Sequence, residues 1–151
     1  MRVVGIDYGE RRIGIAVSDP TGMLARPVAT IPGDANPAVA VARVLEQVVA
    51  LEQDDDPVSM FVVGLPRRLD GSANEQTPRA EGFAERLRAQ AARPVVLQDE
   101  RLTSLEADGL LKVRERDWRE RKKRLDAVAA AVILQEYLDG HQAGTPEVSR
   151  D

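Results

Sequence analysis

The chain has 151 residues, 43% of them hydrophobic and 30% charged, with a net charge of −4 and no cysteine. That size and balance describe one globular domain with a buried core, and they exclude an extended disordered chain, a disulfide framework and thiolate metal ligation. A negative net charge also excludes nucleic-acid binding by overall field alone, and aromatic residues at 3% leave the core to Val, Leu, Ile and Ala.

In chain order, Arg2 to Asp7 reads as a buried strand and Arg12 to Ser18 as a second, with Ile13, Ile15 and Val17 alternating. The short link Tyr8-Gly9-Glu10-Arg11 predicts a hairpin between them. A third strand is expected over Leu24 to Ile31, where Pro27 suits an edge position. After the breaker Pro32-Gly33-Asp34, a helix capped by Asp34 or Asn36 runs to about Gln53, with Val41, Val44, Leu45, Val48 and Leu51 on one face. Asp54-Asp55-Asp56-Pro57 is expected to be a solvated turn rather than a metal site.

Val58 to Leu65 is almost continuously apolar, as a strand buried on both faces would be. A loop from Pro66 to Ser72 follows, in which Gly71, like Gly64 before it, is expected to serve backbone geometry. A helix from about Asn74 to Ala92 is expected to be interrupted near Pro78 and Gly82, and Pro94 to Gln98 is a further strand. A helix over Leu105 to Val113, capped by Thr103 or Ser104, and a last helix over Leu125 to Leu138 complete the pattern. His141 to Asp151 is read as a polar tail, leaving His141 outside any site. The pattern is that of an α/β fold with a mixed central sheet flanked by helices. No apolar run approaches the roughly 20 residues of a membrane span, and no secretory leader is evident, so a cytoplasmic protein without membrane partners is expected.

Three carboxylates fall at predicted element ends. Asp7 closes the first strand and meets a glycine turn, Glu100 follows the strand over Pro94 to Gln98, and Asp126 opens the alanine-rich last helix. Such ends are where functional groups gather in open α/β sheets. Acids distant in sequence that converge in space suit a hard cation, and with one histidine and no cysteine the expected metal is Mg²⁺ or Mn²⁺. Phosphoryl-transfer chemistry is the leading reading, with a helix-capping role as the structural alternative for Asp126.

Seven basic residues stand against three acidic ones between Arg114 and Arg124. Their position just before Asp126 makes Lys122 and Lys123 candidate phosphate contacts, a solvated helix face being the bland reading. Arg12, Arg67, Arg68, Arg101 and Thr103 are further candidate substrate contacts, with ion pairing, loop solvation or helix capping as their structural alternatives. Trp118 reads as an apolar anchor or a base-stacking platform. The Asp7-x-Gly9 turn also begins actin-like ATPases, but these need two domains, more than 151 residues supply.

Four stretches in order resemble the YqgF/RuvX family: Gly5 to Asp19, Val63-Gly64-Leu65-Pro66 with Asp70-Gly71, Asp99 to Ser104, and Asp126 to Ala130. The likeness covers the chain to about Asp139, with Ser104 where many members carry threonine. It implies an RNase H-like fold related to the RuvC resolvases, with residues 1–140 as the nuclease domain and 141–151 as the tail. It further implies that Asp7, Glu100 and Asp126 match the family's catalytic acids. The implied activity is a metal-dependent endonuclease on structured nucleic acid. Maturation of the 5′ end of the 16S ribosomal RNA precursor is the expected task, with resolution of Holliday junctions in branched DNA as the alternative. A non-catalytic nucleic-acid-binding module is the rival of another class. No self-complementary patch is legible, so monomer and homodimer both stand open.

Overall fold

The computed structural model describes residues 2–54, 56–68, 70–99 and 118–141; for residues 54 and 118–124 it describes the backbone alone. Strands β1 (Arg2–Asp7), β2 (Arg12–Ser18), β3 (Ala25–Pro32), β4 (Val58–Leu65) and β5 (Val95–Asp99) form one sheet in the order β3-β2-β1-β4-β5. β1 pairs antiparallel with β2, and β2 antiparallel with β3; β4 runs parallel to both β1 and β5. The sheet is therefore mixed. Pro27 lies on the edge strand as expected, beside a register shift opposite Ile15 and Ala16.

Helices α1 (Pro37–Leu51) and α2 (Thr77–Ala91) cover one face, and α3 (Trp118–Gly140) covers the other. The period of two along β1 sorts the faces: Val4 and Ile6 pack with Val41, Val44, Phe83 and Leu87, while Val3 packs with Ala130, Ile133 and Leu134. Gly5 shares that second face because α3 leaves no room for a side chain. A Cβ there would stand 2.7 Å from Leu134 Cβ and 2.9 Å from the Ala130 carbonyl oxygen.

Several boundaries differ from the sequence reading. The Asn36 side chain caps α1, accepting from the Ala38 N–H at 3.0 Å, but the α-helix stops at Leu51 and gives way to a 3₁₀ turn over Glu52–Asp54. α2 is not interrupted: it begins at Thr77, so Pro78 occupies the first turn, where its missing N–H costs nothing, and Gly82 is accommodated within the helix. α3 begins at Trp118, before the predicted Leu125, since the Arg, Glu and Lys residues ahead of Asp126 are good helix formers. Asp56 is not merely solvated. It pairs with the buried Arg2 at 3.2 Å, and the Arg2 guanidinium also donates to the carbonyls of Leu51 and Asp56. The predicted helix over Leu105 to Val113 lies outside the described residues.

Candidate active site

Asp7 is the last residue of β1, and its cross-strand partner on β2 is Gly14. Both positions face α3 by the alternation that puts Val3 and Gly5 there. The Asp126 backbone lies directly over Gly14, where a Cβ would collide with the Asp126 carbonyl oxygen. This bare glycine lets α3 approach the strand end closely enough to bring Asp126 to Asp7. Sequence reading missed Gly14; the signal was its place, one glycine on the α3 face beside the strand end bearing Asp7.

The two carboxylates share an open cleft of about 450 Å³ with Tyr8, Glu10, Arg12, Pro66 and Arg79. Arg12 Nε donates to Asp126 Oδ2 at 2.5 Å, a charge-assisted contact that orients that carboxylate. Among the described residues, Asp7 has no such cation. Burial first, and the neighbouring Asp126 charge second, push its carboxyl from the ordinary 3.8 up to about 7. One acid is compensated and the other is held in an environment that disfavours its ionised form. Asp126 sits in the third turn of α3 rather than at its start, so the helix-capping alternative does not describe it.

The cleft's opposite wall is built from α2. Thr77 is buried, and its hydroxyl donates to the Pro66 carbonyl while Asn74 Oδ1 accepts from the Thr77 and Gln76 N–H groups. Further along α2, Phe83 stacks against Tyr8 with ring centroids 4.5 Å apart. Arg79 lies between these anchors and reaches Glu10 of the β1–β2 turn at 3.3 Å. Neither Arg79 nor Glu10 was marked in the sequence, since no spacing rule links a helix start to a hairpin turn.

Arg67 and Arg68 are exposed on the turn after β4, apart from this cleft's lining. Gly71 shapes that turn at φ 90°, and its N–H donates to the Arg68 carbonyl at 2.8 Å. Glu100, Arg101 and Thr103 lie outside the described residues, as do the side chains of Trp118, Lys122 and Lys123. Asp99, just before Glu100, ends β5 opposite Leu65 at the same end of the sheet as Asp7. Among the described residues no group of three acidic, histidine or cysteine side chains forms a metal cluster. His141 is exposed and stacks on Tyr137, fifteen residues along α3 from Asp126 and so about 22 Å away.

A family model described as "RuvX: Holliday junction resolvase" matches residues 1–140. The chain belongs to the RuvX family. A relative from Clavibacter sepedonicus, named "Putative pre-16S rRNA nuclease", is 44% identical over 95% of this chain and 86% of its own length. Relatives bearing the same name from Anaeromyxobacter dehalogenans and Lactobacillus delbrueckii are 43% and 40% identical; each match covers 92% of this chain, and 97% and 96% of theirs. Among solved structures, Thermus thermophilus RuvC in complex with a Holliday junction substrate aligns over 95% of this chain and 96% of its own, with a TM-score of 0.51 at 18% identity. The fowlpox virus Holliday junction resolvase aligns over 93% and 99%, with a TM-score of 0.52 at 16% identity. These likenesses give the RuvX chain the RNase H-like fold of the RuvC-type resolvases. Among the described residues, no helix is long and apolar enough to cross a membrane.

Proposed function

We propose that this RuvX protein is a divalent-metal-dependent endonuclease that hydrolyses phosphodiesters in structured nucleic acid, with Asp7, Glu100 and Asp126 as its catalytic acids. The observation that carries the proposal is the pairing of Asp7 with Asp126 in one cleft, where among the described residues Asp126 has a cation in Arg12 and Asp7 has none. A carboxylate kept at high cost beside a second one fits a site built for Mg²⁺ or Mn²⁺, since a hard cation on oxygen donors would remove the penalty. Asp7 and Asp126 would hold it, with Glu100 as the third acid. When bound, the metal supplies charge stabilisation for the attacking and leaving oxygens of an in-line displacement.

The chain's own residues supply the rest. Arg12 fixes the Asp126 carboxylate in one orientation, and the β1–β2 pairing fixes Asp7 relative to it. The open cleft admits a strand from solvent, and Arg67 and Arg68 stand exposed on the loop after β4 at the same sheet end. Arg101, Thr103, Lys122 and Lys123 remain candidate contacts to the nucleic-acid backbone.

The 16S ribosomal RNA precursor is the substrate we favour, because relatives matching nearly the full chain are named for pre-16S rRNA; its 5′ end is the site that the family resemblance implies. The description of the family model supports four-way DNA junctions as the second substrate class. Side-by-side cleavage of a 16S precursor and a four-way junction, by wild type and Asp7→Asn in Mg²⁺ and in Mn²⁺, tests both. Metal-dependent cutting of the precursor that Asp7→Asn abolishes supports the proposal; cutting of the junction alone moves the assignment to the second substrate. Cutting of neither, or cutting unchanged in Asp7→Asn, overturns it.

A further inference from the structure

We infer that Arg79 is the cleft's backbone-phosphate receptor, held ready by Glu10, whose carboxylate occupies the guanidinium until a nucleic-acid phosphate displaces it. The inference rests on the nuclease reading and adds to it a binding residue and a built-in competitor.

Three arginines, Arg11, Arg12 and Arg79, line the cleft that holds Asp7 and Asp126 together with Glu10, and the two that pair with its carboxylates, Arg12 and Arg79, differ in what they are committed to. Arg12 is tied to Asp126 at 2.5 Å, and moving it to a phosphate would break that pair. Arg79 meets Glu10 at the longer distance of 3.3 Å, and both side chains are well exposed, 47% and 39%. An exposed pair of this kind is weakly held, so a substrate phosphate can take the guanidinium at little cost. The planar fork of arginine suits two phosphate oxygens at once.

Position makes the exchange specific. Thr77 pins the start of α2 to the end of β4 through the Pro66 carbonyl, and the Tyr8–Phe83 stack pins its second turn to the β1–β2 turn. Arg79 is thereby carried on a rigid helix facing the two acids, rather than on a mobile loop. Glu10, on the turn between Asp7 and Arg12, adds negative charge at the place a phosphate must enter. It keeps Arg79 extended over the cleft and opposes anions too weak to displace it.

The two halves of the pair therefore act on binding with opposite signs, which a merely structural ion pair would not. Binding is read by fluorescence anisotropy of labelled 16S precursor fragment and labelled four-way junction, with Ca²⁺ replacing Mg²⁺ and intact probe confirmed on the same samples. Arg79→Gln is expected to weaken binding about ten- to hundredfold and to lower the slope of log K against log salt by about one. Arg79→Lys keeps part of the affinity, and Glu10→Gln tightens binding about two- to fivefold. Equal melting temperatures of the variants separate these effects from folding. Weakening by both Arg79→Gln and Glu10→Gln, or no change in either, would overturn the inference while leaving the nuclease reading intact. A wild-type protein that binds neither probe overturns both.

Discussion

Replacing Asp7 by Asn removes a charge that the folded protein carries at a cost, so it is expected to stabilise the metal-free protein at neutral and alkaline pH. Burial and the Asp126 charge lift the Asp7 carboxyl from 3.8 to about 7. A folded-state value above the unfolded one means the folded protein binds the proton more tightly. The resulting stability is fully present below about pH 4, and it is lost as the pH rises towards 7. Above pH 7 a shift of that size corresponds to about 4 kcal/mol as an upper bound; solvent at the mouth of the open cleft reduces this to about 1–3 kcal/mol. Urea denaturation of wild type and Asp7→Asn in EDTA, at intervals from pH 5 to pH 8, reads the difference directly. The variant should gain on wild type steadily across that range and lead by about 1–3 kcal/mol at pH 8, with Mg²⁺ narrowing the gap by stabilising wild type alone. A variant equal to or less stable than wild type at pH 8, with no trend in pH, would refute the electrostatic reasoning.

Further expectations follow from the packing around the two acids. Gly14→Ala should cost about 1–3 kcal/mol and lower cleavage more than Val17→Ala does at equal stability, because the new methyl pushes Asp126 away from Asp7; equal losses of cleavage in the two would contradict this. Phe83→Ala removes a fully buried ring and the stack that seats α2, and a loss of about 3–5 kcal/mol is expected in the same urea assay. Ala92, which ends α2 in the left-handed region at φ 55°, should accept Gly with a gain of about 0.5–1 kcal/mol in thermal melts. Metal titration by calorimetry should release protons near pH 6 and not at pH 8.5, since the metal can bind Asp7 only in its ionised form.

The strands and the end-of-strand position of Asp7 were legible because burial on both faces of β1 and β4, and alternation on β2, leave plain marks in composition and spacing. Helix starts were less so. A local rule placed the first residue of the last helix at the alanine-rich stretch, whereas α3 begins at Trp118 and Asp126 lies inside it. Likewise Pro78 reads as a break along the chain but as a first-turn residue once the start of α2 is known. What the sequence could not display is proximity across elements: Gly14 under Asp126, Arg12 on Asp126, Arg2 on Asp56, and Arg79 on Glu10. Each joins residues whose partnership depends on sheet order and helix docking, and neither has a local signature. Glu100 stands among the proposed acids on the family resemblance and on its place just after the described end of β5.

The central claim is that the paired acids hold a hard cation and cut a phosphodiester. The most direct measurement is cleavage of a 16S precursor by the wild-type protein with Mg²⁺ or Mn²⁺, beside Asp7→Asn and Asp126→Asn shown to be folded by circular dichroism. The account predicts a defined product near the 5′ end of the 16S sequence that requires the metal and disappears in both variants. Full cleavage by either variant, or the same product from wild type in EDTA, would contradict it.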